Sequence, residues 1–238
     1  MRNYGVSLIP DVYLTKLKYH QEIDVNQFTA DPISTDAFRL SMSGNSIYDP
    51  NDSSIVNGYP AGYNELRMLY KKFYVSLSSI RVQAMCTNGT TASGFRIFIL
   101  PSTRDNVAGI DLNSLVANPY CTLPKYFGPS FGKNITTVKH GMSTKSMFGR
   151  STAKTEDDFH GQLIAPPNNG DPLNQFWYHI IIQDINNEWG TNDARVTLNV
   201  SLSYNVMIYQ RRQQIQDNDF TLDNPDDVLE VQPGPPRS

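Results

Sequence analysis

The sequence predicts an all-β protein: a single eight-stranded antiparallel jelly roll, two packed four-stranded sheets joined by long loops. Three observations lead there. Runs of alternating apolar and polar residues recur along the 238-residue chain. Turn-rich stretches with Gly, Pro and Asn separate them. No βαβ alternation and no internal repeat is present. An eight-stranded antiparallel chain of this size is a sandwich or a barrel, with the jelly roll the leading choice.

The clearest run is Ala194 to Gln210. Its even positions, from Ala194 and Val196 to Val206 and Ile208, are apolar or small, and its odd positions are mostly polar. Side chains alternate faces along a strand, so one face is buried. At about 3.3 Å per residue the run spans roughly 55 Å, and such a strand must pair on both edges.

The other elements follow in order. Residues 1–12 form an N-terminal extension, 13–212 the jelly-roll domain and 213–238 an acidic, Pro-containing tail. Thr15 to Val25 alternates like the last strand, with Pro32 breaking it; Phe38, Leu40 and Met42 mark a shorter strand ended by Gly44. Residues 45–64 are turn-rich and hold Tyr48, Tyr59 and Tyr63, which either fold back on the domain or make a partner surface. Asn64 is positioned to cap a short helix, Glu65 to Tyr70. Phe73, Val75 and Leu77 are odd but Ile80, Val82 and Ala84 even, so strand 71–86 carries a β-bulge near Ser78–Ser79. Gly94 to Leu100 is the next strand. Residues 102–133 make a long connection, with a helical turn at Leu112 to Val116 and the aromatic residues Tyr120, Tyr126 and Phe127. Ile135 to His140 and Phe159 to Ile164 read as strands; Gly141 to Gly149 has no clear period. Phe176 to Ile185 is apolar on both phases, as suits a strand covered on both sides.

Composition narrows the function. No segment is long and apolar enough for a membrane-spanning helix, and Met1 to Val6 lacks a signal-peptide core. Cys86 and Cys121 give no disulfide framework; free thiols and an intracellular origin are expected, a single disulfide staying open. From Asp217 onward six acids meet one base, Arg237, so the tail carries −5, the whole chain −3 and the remainder +2. That charge alone does not argue nucleic-acid binding.

Enzyme chemistry is not signalled. There is no Gly-rich phosphate loop, no G-x-S-x-G elbow and no local His pair. His20, His140, His160 and His179 read as structural, and Glu156-Asp157-Asp158 as a solvated loop rather than a cation site. The sequons at Asn88, Asn134 and Asn199 mean little in an intracellular protein. No catalytic residue, metal or cofactor is expected. Long loops, many tyrosines and a long sheet fit an assembly subunit; the alternative is a soluble jelly-roll lectin or cupin-like protein.

A family resemblance adds to this. Lys16-Leu17-Lys18-Tyr19, Asn45-Ser46-Ile47-Tyr48-Asp49-Pro50, Gly62-Tyr63-Asn64-Glu65-Leu66, Leu69 to Val75 and Lys139 to Gly149 occur in order. With Phe176-Trp177-Tyr178 and Arg195 to Gln210, they make residues 13 to 212 resemble the capsid protein of circovirus-like (CRESS) circular single-stranded DNA viruses. The resemblance implies an icosahedral T=1 shell, a homo-oligomer of roughly 60 copies. That shell encloses circular ssDNA, is found in the virion and in the host nucleus or cytoplasm during assembly, and presents loops to an unknown host receptor. It implies sheets B-I-D-G and C-H-E-F, with B at about 13–27, C 36–43, D 71–86, E 94–101, F 134–140, G 159–164, H 175–186 and I 194–210. Candidate ssDNA phosphate contacts are Lys16, Lys18, Lys71, Lys72, Arg81, Arg211 and Arg212. Candidate intersubunit or surface-loop residues are Tyr48, Tyr59, Tyr63, Tyr120, Tyr126 and Phe127. One departure stands out: such capsids usually open with an Arg-rich arm, whereas the first 15 residues here hold one basic residue, Arg2. Either the arm was removed or left out, or this protein binds DNA weakly. The acidic tail is also outside the pattern and reads as disordered unless docked.

Overall fold

A computed structural model describes residues 9–25, 37–48, 50–51, 58–87, 94–164, 170–185 and 195–212. The expectations for residues 1–8, Pro32, Asn88 and the acidic tail lie outside these residues. The described strands are β1 (Val12–Asp24), β2 (Ala37–Ser43), β3 (Tyr70–Thr87), β4 (Phe95–Ser102), β5 (Lys125–Phe127), β6 (Ile135–Ser143), β7 (His160–Gln162), β8 (Trp177–Asp184) and β9 (Arg195–Arg211). Three short helices join them: α1 (Tyr63–Leu69), α2 (Leu112–Val116) and α3 (Thr144–Phe148).

One sheet runs β1-β9-β3-β6, with β7 also on β3; the other runs β2-β8-β4-β5. This is the B-I-D-G and C-H-E-F order, so the chain is an antiparallel jelly roll. β9 sits between β1 and β3 and pairs along nearly its whole length with both. That placement explains its alternation: Val196, Leu198, Val200, Leu202, Tyr204, Val206 and Ile208 are buried between the sheets, while Asn199, Ser201 and Ser203 point out.

Two strand assignments need correction. Ile135–Ser143 is not F but G, since it pairs with β3 from Leu77 to Met85. F is the three-residue β5, which pairs with β4. The 159–164 run survives as β7, which takes the other end of the same β3 edge at Lys72–Tyr74. The bulge in β3 lies between Val75 and Leu77, earlier than Ser78–Ser79. There the Ser76 hydroxyl donates to the Asn205 carbonyl at 3.1 Å, satisfying a group the slipped register leaves over. Helix α1 begins after Gly62, at φ 88°, with no side-chain cap, so Asn64 does not cap it. Asp111 caps α2, accepting from the Ser114 amide at 3.0 Å.

The outer face of β2-β8-β4 is covered. Ala37, Phe98, Leu100 and Ile181 pack against Val107, Leu112 and Leu115 of the connection after β4. This is why β8 is apolar on both phases: Ile180 and Ile182 face the inter-sheet core, Ile181 the cover. Polar side chains stitch the cover down. Arg39 donates to the Val107 and Ile110 carbonyls, and His179 donates from Nε2 to the Arg104 carbonyl at 2.9 Å while its Nδ1 meets the Ser41 hydroxyl at 2.8 Å.

Candidate nucleic-acid interface

Among the described residues, the outer face of β1-β9-β3-β6 carries no such cover along its central rows. Register places its side chains in lines across the four strands. One line is Lys18, Ser203, Ser79, Gly141; the next is His20, Ser201, Arg81, Lys139; the next is Glu22, Asn199, Gln83, Thr137. Lys18 flanks the first line and His20 and Lys139 the second, the exposed acid Glu22 flanks the third, and Arg81 stands in the middle beside Ser203, Ser79 and Ser201. Lys16, Lys18, His20, Arg81 and Lys139 are exposed. None of Lys16, Lys18, Arg81 and Lys139 is ion-paired with a described residue.

His20, Arg81, Gln83, Asn199 and Ser201 line a shallow depression of about 370 Å³. His20 Nδ1 lies 3.0 Å from the Ser201 hydroxyl. A cation, an imidazole, two amides and a hydroxyl around one hollow form a donor set suited to a phosphate oxygen. Such contacts position a backbone and do not read bases.

Of the cations expected to touch phosphate, Lys16, Lys18 and Arg81 share this face. The others do not join them. Lys72 Nζ pairs with Asp157 Oδ1 at 3.1 Å. Lys71 stands on the opposite phase of β3 from Lys72. Arg211 Nη1 donates to the Ile9 carbonyl at 3.3 Å. Arg212 is a structural tether: Nε donates to the Arg67 and Tyr70 carbonyls at 2.8 and 3.2 Å, and Nη2 to the Leu163 carbonyl at 2.8 Å. Sequence reasoning missed His20, Lys139, Asn199 and Ser201. The outward phase of β1 and β9 marked His20, Asn199 and Ser201; Lys139 needed the correct sheet for β6.

The aromatic candidates divide as well. Tyr59 stacks on Tyr63 at 4.8 Å and 12°, with the Tyr48 ring 5.7 and 6.3 Å from the two. Tyr63 is buried, donates to the Ile164 carbonyl at 3.2 Å, and has its phenol held protonated well above the usual range by burial. Phe127 is fully buried against Phe95. Tyr63 and Phe127 are therefore core residues of this chain and not surface contacts. Tyr120 and Tyr126 are exposed, close in sequence to the exposed Leu123, Phe131 and Ile135.

The remaining titratable groups are occupied locally. Glu156 accepts from Arg150 at 3.4 Å and Asp157 binds Lys72, so two of the 156–158 acids are engaged by this chain's own cations. Among the described residues no group of three His, Cys, Asp or Glu could hold a metal. Cys86 and Cys121 are not joined in a disulfide, and burial pushes the Cys121 thiol up to about 11. Burial lowers His179 to about 4 and also lowers His140 and His160. No helix among the described residues is long and apolar enough to cross a membrane.

No protein-family model and no curated protein sequence matches the chain. Among solved structures it is similar to the semi-empty virus-like particle of the giant freshwater prawn Macrobrachium rosenbergii nodavirus, at 10% identity and TM-score 0.45, over 84% of this chain and 95% of that one. It is similar to the decameric BFDV capsid protein at 13% and 0.40, over 84% and 99%. It is also similar to mud crab tombus-like virus at 9% and 0.42, over 87% and 95%. At these identities no residue role passes across.

Proposed function

We propose that this chain is a viral capsid protein that self-assembles into a small closed shell around circular single-stranded DNA. A jelly roll alone hosts many functions. The observation that carries the reading is the central part of the outer face of β1-β9-β3-β6, where among the described residues Lys16, Lys18, Arg81 and Lys139 are exposed beside Ser79, Ser201 and Ser203 and form no ion pair. That face would line the shell and neutralise phosphate. The separate exposed residues Tyr120, Leu123, Tyr126 and Phe131 would meet neighbouring subunits, and other loops the host cell. The resemblance to circovirus-like capsid proteins implies a closed shell of roughly 60 copies.

The test is negative-stain electron microscopy of the purified chain, with the 260/280 nm absorbance ratio of the same fraction. Uniform shells of about 20 nm are expected, with a ratio raised by packaged nucleic acid. A chain that stays monomeric across pH and salt would overturn the capsid reading and favour a lectin or cupin-like role.

A further inference from the structure

A second hollow opens on the same outer face, just beyond Lys16. It is a groove of about 430 Å³ with Leu14, Tyr74 and Met207 among its walls and Lys16, Lys154 and Asn205 on its polar side. Leu14 is 74% exposed. Tyr74 is held firmly beneath, packed with Ala153 and Phe159. The groove adjoins the cationic rows, because its Lys16 is the next outward residue of β1 before Lys18: Leu14, Lys16, Lys18 and His20 follow one another along that phase. Alternate residues on a strand are about 6.6 Å apart, a step an extended sugar-phosphate backbone can match.

We infer that this groove receives one unstacked nucleobase of a single-stranded polynucleotide whose phosphates lie along Lys16, Lys18 and the hollow between His20 and Arg81. The inference rests on the nucleic-acid reading of this face and adds the class of strand it takes. The apolar walls accept the π-face of any base, the exposed Asn205 amide reaches a base edge, and Lys16 and Lys154 flank the attached phosphates. A duplex keeps its bases stacked inside and leaves the groove empty, so only its phosphates are engaged.

The experiment uses the full chain, freed of nucleic acid, with a fluorescein-labelled 20-mer of deoxythymidylate read by anisotropy at low salt. A 20-bp duplex and inorganic polyphosphate serve as competitors. Leu14→Ser removes the exposed wall without touching the core. The expected result is a loss of affinity for the deoxythymidylate of about tenfold, with the competition constants of duplex and polyphosphate unchanged. A Leu14→Ser chain that binds all three as the unaltered chain does overturns the base groove and leaves the phosphate face standing. An equal loss for all three also overturns it, since a general weakening is then the cause. If the unaltered chain binds none of the three, the nucleic-acid reading itself falls, and the groove with it.

Discussion

The two sheets of this jelly roll treat their outer faces in opposite ways. β2-β8-β4 lies beneath a connection that forms its own small core, with Ile181 fully buried under Leu112 and Leu115. β1-β9-β3-β6 leaves Ser201, Ser203 and Arg81 facing outward in open rows. The difference teaches where each kind of selection acts. On the covered sheet both phases of a strand answer to packing. On the bare sheet only one phase does, and the other is free to answer to a partner.

The largest effect should come from breaking the cover. Ile181→Ala empties a closed site and is expected to cost about 2–5 kcal/mol in urea unfolding of the unassembled chain. A cost below about 1 kcal/mol would mean that the connection does not pack on the sheet in solution.

Acid should act on the covered side next. Burial is the first cause holding His179 near 4, opposed by its bond to the Arg104 carbonyl and by Asp105, with Arg39 adding to the lowering. The folded value lies below the unfolded value of about 6.5, so the unfolded chain binds the extra proton. Stability is therefore full above about pH 6.5 and falls as pH drops toward 4, by up to about 3 kcal/mol from this group. His140 and His160 are lowered too and add in the same direction. Denaturant midpoints between pH 7.5 and 4.5 measure the slope, and His179→Gln should remove a large part of it. An unchanged slope would place the acid sensitivity elsewhere.

Two arginines sharpen the contrast with the smallest effects. Arg212→Ala strips donors from three backbone carbonyls and should cost about 2 kcal/mol of stability while leaving DNA affinity alone. Arg81→Ala should change stability by less than about 0.5 kcal/mol and lower the slope of log affinity against log salt by about 0.7. If the two exchange these signatures, the division between tether and contact is wrong.

Much of the fold was legible because β1 and β9 bury one face only, so their period of two shows through. The misplaced F strand has a physical reason. β5 is three residues long within a stretch of Pro and Gly, and pairing rather than pattern makes it a strand. The bulge was read late because Leu77 looks like core, whereas it is 42% exposed after the slip at Ser76. For the proposed site, charge on an outward phase was visible, and Lys16, Lys18 and Arg81 do fall on one sheet face. Distinguishing them from Lys72 and Arg212 requires knowing that Asp157 and three carbonyls wait in space, which no local spacing encodes.

The edge of β3 is shared end to end by two separate strands, β6 from Leu77 onward and β7 over Lys72–Tyr74. At the seam the Thr144 hydroxyl donates to the Val75 carbonyl at 2.6 Å. The chain thus leaves the sheet at Ser143 and returns at His160 with both departures pinned to one strand. The length of the excursion between them is uncoupled from sheet register. A lineage can lengthen, shorten or redecorate that stretch, which includes the exposed Arg150, Ser151 and Thr152, without re-registering a single ladder. Surface novelty is thereby made cheap on a scaffold whose strands must stay fixed.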